Sequence, residues 1–337
     1  MYFKGRSRRM TDYKEVIKKI RGPLALLPTH FNSDESLDLG AMRETAEFAA
    51  SAMEGKDGCI MIAGSTSEFF AMSDDETLDL IRAVVDTVKG RVPVIAGTGR
   101  AATGLTIEMS KKAQDLGIDI AMISNPYYMM TTDEGLYRHF SKVAEALDIG
   151  VMIYDNPTTS KMAVPVPIMK RLSKIPTIIS TKETSIDMDK IYQLVHETDP
   201  EEFVVTCGIG NNYYAFEAVL GVRAFSTDLI CICPDLAYAM HDAAVAGDYE
   251  QMVRVLDQIK PYNDVIAACV ARRKIPTTIE TGYGGRATTV YQSVMKKAME
   301  LIGLPGGVAR EPLENLTDEE VAELRDALIR CGVKVVK

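Results

Sequence analysis

The chain has 337 residues, a formal net charge of −9, 47% hydrophobic residues and 25% charged residues. This is the balance of a water-soluble globular protein with a large core, and its acidity excludes a broad nucleic-acid footprint or attachment to an anionic membrane. No apolar run approaches the roughly 20 residues needed to span a bilayer. Residues 1–21 are basic and polar, with no secretory apolar stretch, so a cytoplasmic protein is expected.

Along the chain, short runs rich in Val, Ile, Ala and Met alternate with longer segments of helical period. The runs predict strands at residues 23–29, 58–64, 92–97, 118–125, 149–154, 177–181, 203–207 and 224–227. Several are continuously apolar, as parallel strands buried on both faces must be. Helices are predicted between them, among others at 75–88, 104–116, 133–147 and 166–173. Asp75 and Asp133 stand at helix starts, where a carboxylate accepts free backbone N–H groups. The spacing leaves room for one strand, one crossover helix and short loops per unit. An α/β fold follows: a (β/α)8 TIM barrel over residues 22–247, with an open doubly wound sheet as the competing arrangement.

Beyond the eighth strand only helical periods remain, at 236–246, 249–271, 288–302 and 318–331. Residues 248–337 are therefore expected to form a helical region packed on the barrel, and residues 1–21 an N-terminal extension. Gly282-Tyr-Gly-Gly285-Arg286 reads as a connecting loop whose Arg286 is available to an anion.

The six cysteines show neither zinc nor disulfide spacing, Cys231-Ile-Cys233 being one residue too tight, and the four histidines lie far apart. Gly97-Thr-Gly99 leads into no Gly-Lys-Ser/Thr, and no strand-to-helix turn carries GxGxxG. A histidine-based metal site, a phosphate-binding loop and a dinucleotide cofactor are therefore not expected.

In this architecture the active groups sit at the carboxyl ends of the strands. Those ends offer one lysine, several hydroxyls, tyrosines and glycine N–H groups, which suits carbonyl chemistry on a carboxylate substrate. Lys182 ends the sixth strand and points either into the barrel mouth or out toward solvent. Inside, desolvation would free its amine as a nucleophile. Tyr154 ends the fifth strand as a proton carrier or as an aromatic cap on the core. Ser65 and Thr66 follow the second strand, as carboxylate holders or as helix caps.

Six landmarks occur in order: Gly64-Ser-Thr-Ser-Glu68, Val94-Ile-Ala-Gly-Thr-Gly99, Asn125-Pro-Tyr-Tyr128 with Glu134-Gly-Leu-Tyr137, Tyr154-Asp-Asn-Pro157, Thr181-Lys-Glu-Thr184 and Leu304-Pro-Gly-Gly307. Together they resemble the dihydrodipicolinate synthase / N-acetylneuraminate lyase family of Schiff-base aldolases, from about Gly22 to Leu324. The resemblance implies that Lys182 forms an imine with the keto carbon of a pyruvate-like substrate and that Tyr154 relays protons. It implies that Ser65 and Thr66 hold the carboxylate, with Ser65 joining the relay, and that Gly208 and Ser226 help to bind substrate. Tyr128 matches a tyrosine that members lend to a neighbouring subunit, which implies a homo-oligomer, dimer or tetramer. The imine needs no metal or organic cofactor.

Two departures bear on the substrate. The motif after the tyrosine, usually Tyr-Asn-x-Pro, is Tyr154-Asp155-Asn156-Pro157, and Thr159 stands where dihydrodipicolinate synthases carry an arginine for the aldehyde's carboxylate. Losing that bidentate fork disfavours the lysine-pathway aldehyde. Gly208 is followed by Ile209, Gly210, Asn211 and Asn212 instead of the acidic residues of sialic-acid lyases. Glu68-Phe69-Phe70 and Ser226-Thr227-Asp228 look closer to branches acting on 2-keto-3-deoxy sugar acids. The expected activity is a lyase cleaving or condensing such a 2-keto acid. The alternatives are a sugar-acid dehydratase, a dihydrodipicolinate synthase with an altered carboxylate site, and a barrel that binds keto acids without turning them over.

Overall fold

The computed structural model describes residues 13–273 and 290–336. Eight parallel strands form a closed barrel in sequence order. They are β1 (Gly22–Leu26), β2 (Cys59–Ile62), β3 (Val94–Gly97), β4 (Ile120–Ser124), β5 (Gly150–Asp155), β6 (Ile178–Glu183), β7 (Val204–Cys207) and β8 (Ala224–Thr227), each overlapping its expected run. Pairing of β1 with β8, from Gly22↔Ala224 to Ala25↔Thr227, closes the ring and leaves no free edge. The open doubly wound arrangement is thereby excluded.

Helix α1 (Tyr13–Lys19) precedes the barrel. The crossovers are α2 (Leu39–Met53), α3 (Asp74–Val88), α4 (Thr103–Leu116), α5 (Asp133–Glu145), α6 (Pro157–Ser160) with α7 (Val166–Leu172), α8 (Met188–Glu197) and α9 (Asn211–Glu217). After β8 come α10 (Pro234–Ala246), α11 (Tyr249–Arg272), α12 (Tyr291–Leu301) and α13 (Asp318–Arg330). Among the described residues no helix is long and apolar enough to cross a membrane.

The expected caps need correction. Asp75 and Asp133 lie inside the first turns of α3 and α5, and the residues that cap are Ser73 and Thr132. A cap needs extended backbone just before the helix, which both of these have, and a short side chain that reaches back to the third residue. Ser73 accepts from the Glu76 amide while the Glu76 carboxylate accepts from the Ser73 amide, a reciprocal capping box. The aspartates instead face the positive end of the helix dipole.

Two apolar clusters make the core. Leu24, Cys59, Met61, Ile95, Ile120, Met122, Met152, Ile179 and Val204 fill the barrel, and Ile17 and Ile20, in and just after α1, join them at the strand starts. The second cluster packs the outer strand faces on the helices and runs without a break into Met252, Val255, Val294, Met295, Leu324 and Leu328 of α11–α13. Full burial of each such side chain is worth roughly 1.5–3 kcal/mol.

The β5–β6 ladder contains a register shift: Val151 pairs with Ile178 but Met152 pairs with Ser180, so Ile179 is an extra residue in β6. Ile179 points into the barrel. Strict alternation from it would turn residue 182 outward. The extra residue reverses the parity, and Lys182 lies opposite Tyr154 on the inner face.

Buried polar contacts tie the last helices to the barrel. His30, after β1, sits 2.7 Å from the Gly306 carbonyl through Nδ1 and 2.7 Å from Thr45 Oγ1 through Nε2. A carbonyl only accepts, so Nδ1 carries the proton and Nε2 accepts from the threonine; the ring is neutral. Burial pushes its pKa down to about 4 from 6.5. The unfolded chain therefore takes up a proton between those values that the folded chain refuses. His30 gives full stability above about pH 6.5 and loses it as pH falls toward its folded pKa. Between about pH 6 and about pH 4.5, urea unfolding should show the unaltered chain losing about 2 kcal/mol more than His30→Asn. Equal pH slopes in the two proteins would remove His30 from this account.

Candidate active site

A cavity of about 190 Å³ opens at the carboxyl ends of the strands, and Lys182, Tyr154, Ser65, Thr66, Gly208 and Ser226 all line it. Six of the seven residues singled out in the sequence therefore converge. Tyr128 does not: it is 76% exposed, beside Met129 and Met130, and is not among the lining residues.

Lys182 is 4% exposed. Its Nζ lies 3.4 Å from Met61 Sδ and 4.5 Å from the centre of the Tyr154 ring. Burial lowers its pKa, only partly opposed by Tyr154 and Cys207. A thioether and a ring face stabilise an ammonium weakly compared with a carboxylate, so this environment favours the neutral form of the amine over the ammonium.

The neighbouring lysine shows the contrast. On the outer side of the same strand ends, Lys190 from α8 sits 2.7 Å from Asp155 and 2.8 Å from Glu183, both fully buried. Burial alone would lower its pKa, but the Glu183 and Asp155 charges outweigh it and hold the ammonium. Asp155 also accepts from Asn125 Nδ2 at 2.9 Å and from the Val164 amide at 2.9 Å. It is thus committed away from the cavity. Burial, with Asp155 close by, pushes the Glu183 pKa up, and the Lys190 ammonium opposes this. The triad clasps β5 to β6 one residue beyond the Tyr154–Lys182 pair.

Tyr154 Oη accepts from Asn156 Nδ2 at 2.8 Å and lies 3.4 Å from Ser65 Oγ. An amide N–H can only donate, so it leaves the phenol proton free to move toward Ser65 or a ligand while stabilising the oxygen that loses it. Asn156 is two residues beyond Tyr154 and shares its face. The altered motif therefore brings an amide into the cavity, which its composition alone did not reveal.

Ser65 and Thr66 are not helix caps. Their loop turns back through the Glu68 amide, which donates to the Ser65 carbonyl at 3.1 Å, and is fixed by Ser67 Oγ on the Leu27 carbonyl and Thr29 Oγ1 on the Ser67 carbonyl. Glu68 adopts left-handed backbone, φ 53°, and its buried carboxylate pairs with Lys296 of α12 and accepts from the Arg310 amide. Gly208 is required by space: a Cβ there would stand 2.4 Å from Thr184 Cγ2 and 2.7 Å from the Glu183 carbonyl. Ser226 Oγ and Asn211 Oδ1 are buried at the cavity without a partner among the described residues, leaving both for a ligand.

Thr158, Thr184, Asn211, Asn212, Asn263, Asp228 and Tyr291 also line the cavity. Asp228 accepts from Tyr262 Oη at 2.7 Å, and burial raises its pKa. Tyr291 and Asn263 come from the last helices and carry no local signal by which the sequence could have revealed them. Arg286 and the surrounding Gly282–Gly285 segment lie outside the described residues.

Comparisons with known proteins place the chain in a family. Residues 19–330 match the Dihydrodipicolinate synthetase family. The 4-hydroxy-tetrahydrodipicolinate synthase of Methanosarcina barkeri is 32% identical over 312 residues, covering 93% of this chain and 98% of that one. Its counterpart from an Anaeromyxobacter species is 31% identical over 319 residues, covering 95% and 100%. Among solved structures, the dihydrodipicolinate synthase from Aquifex aeolicus superposes with a TM-score of 0.80 at 26% identity over 94% of this chain and 100% of that one. The one from Oceanobacillus iheyensis, at 24% identity and TM-score 0.81 over 94% and 98%, shares the fold. With nearly its whole length matched, the chain belongs to the dihydrodipicolinate synthetase family and is a lyase of that family.

Proposed function

We propose that Lys182 forms a Schiff base with the keto carbon of a 2-keto acid and that the chain makes or breaks the adjacent carbon–carbon bond. One observation carries this: a buried, carboxylate-free amine facing a cavity beside a phenol and a hydroxyl. The amine adds to C2, Tyr154 with Ser65 passes a proton to the oxygen, and water leaves. The resulting iminium draws the electron pair of the C3–C4 bond onto nitrogen, giving an enamine and an aldehyde as the C4 hydroxyl gives up its proton. Protonation at C3 and hydrolysis then release pyruvate and restore the amine. The covalent nitrogen is the electron sink, so no metal or organic cofactor enters the reading.

For the substrate we favour a 2-keto-3-deoxy sugar acid. Ser65 and Thr66 offer donors to the carboxylate, with Gly208 and Ser226 alongside. The amides and hydroxyls of Thr158, Thr184, Asn211, Asn212 and Asn263 suit sugar hydroxyls. Among the described residues lining the cavity, no guanidinium awaits a second carboxylate. The relatives' name supports a second reading, condensation of pyruvate with an aldehyde carrying a carboxylate. In the dehydratase variant the same iminium loses a C3 proton in place of the C3–C4 bond, and the enamine so formed expels the C4 hydroxyl as water. Tyr128 with Met129 and Met130 forms an exposed apolar stretch suited to a second copy of the chain, to which Tyr128 would be lent in a homo-oligomer.

Borohydride reduction with pyruvate should fix one adduct on Lys182 and none on Lys182→Ala; equal labelling of the two would reject the nucleophile. Tyr154→Phe should slow adduct formation about 100-fold, in line with loss of a general acid–base. A panel of sugar acids and aldehydes, followed for pyruvate and for water loss, separates the three reactions. Binding without turnover across the panel would favour the non-catalytic barrel. Lys182→Met should abolish labelling yet raise stability near neutral pH by about 1 kcal/mol or more, because it removes a cation that burial disfavours.

A further inference from the structure

We infer that Tyr291, at the start of α12, is a positioning residue for the substrate carboxylate: its phenol holds the Thr66 hydroxyl so that the Thr66 proton points into the cavity. This rests on the reading of Ser65 and Thr66 given above. Tyr291 Oη lies 3.0 Å from Thr66 Oγ1, and both residues line the cavity. A carboxylate only accepts, and a hydroxyl has one proton to give. For Thr66 to donate to the substrate, its contact with Tyr291 must run the other way, with the phenol donating. Among the described residues the Tyr291 phenol is hydrogen-bonded to Thr66, whereas the Asp228 carboxylate accepts from Tyr262. Burial raises the Tyr291 pKa, so the phenol keeps its proton at neutral pH.

The rest of the helix start acts in the same sense. Gln292, 1% exposed, donates from Nε2 to the Ser65 carbonyl at 3.2 Å. One turn on, Lys296 pairs with Glu68. Three positions of α12 therefore fix the loop that presents both hydroxyls, and Tyr291 alone reaches a group that would touch the ligand.

The test is the pyruvate dependence of borohydride trapping in the full-length chain. Tyr291→Phe keeps the ring and removes the donor. It should raise half-saturating pyruvate about tenfold while leaving the rate at saturation within about twofold, the size of one lost hydrogen bond to a group that holds a charge. Trapping of acetone, a ketone without a carboxylate, should be unchanged, which damage to the barrel would not allow. Thr66→Val should show the same pyruvate-specific loss, and the double variant should be no worse than Thr66→Val. Additive losses, equal losses for pyruvate and acetone, or unchanged half-saturation in either single variant would overturn the inference. If the unaltered chain gives no adduct at all, the Schiff-base reading fails and takes this one with it.

Discussion

The site depends on one extra residue in β6. A parallel strand alternates its side chains strictly, and inward positions such as Ile95, Ile120, Met122 and Met152 are filled by apolar atoms. Ile179 occupies such a position, and continued alternation would send Lys182 into the outer shell between strands and helices. The bulge opposite Val151 and Met152 resets the alternation and places the amine against Met61 and Tyr154. Its chemistry follows from its surroundings. A thioether and a ring are poor company for a cation.

Buried lysines in this fold are not alike, and the difference lies in their partners. Lys190 and Lys296 each meet buried carboxylates and serve as ties, the first joining β5 to β6 and the second joining α12 to the loop after β2. Lys182 meets none in the described structure and is the one whose charge burial opposes without an ionic partner. Leaving an amine in that state costs stability, a common feature of reactive sites held by a rigid scaffold. The ties around it hold the strand ends and the loop after β2 in place beside Lys182.

The helices beyond the barrel are part of the site. Lys296, Gln292 and Tyr291 hold the loop carrying Ser65 and Thr66, His30 links the Gly306 carbonyl to α2, and Asn263 of α11 reaches the cavity wall. The Ser65–Thr66 side of the cavity is thus set by the junction of two chain regions more than two hundred residues apart, whereas Lys182 and Tyr154 come from adjacent strands. Substrate choice within such a scaffold can change through the loops and the last helices without disturbing Lys182 and Tyr154.

By itself the sequence determined the repeating pattern and the candidate chemistry. Continuously apolar runs separated by helical periods specify parallel strands covered on both sides, and the residues closing those runs, Lys182, Tyr154, Ser65 and Thr66, were legible because position along a strand fixes which end they occupy. What a linear pattern could not decide was facing. Ile178 and Ile179 are equally apolar, so no hydropathy signal marks the extra residue that turns Lys182 inward; only the register against β5 does. The same limit hid the caps at Ser73 and Thr132, which depend on backbone angles one residue before the helix. Asn156 and Asp155 are neighbours of similar size, yet pleating sends one to the phenol and the other to Lys190. Tyr291 enters the cavity through packing of α12 on the barrel, a long-range contact that only the closed tertiary structure brings about.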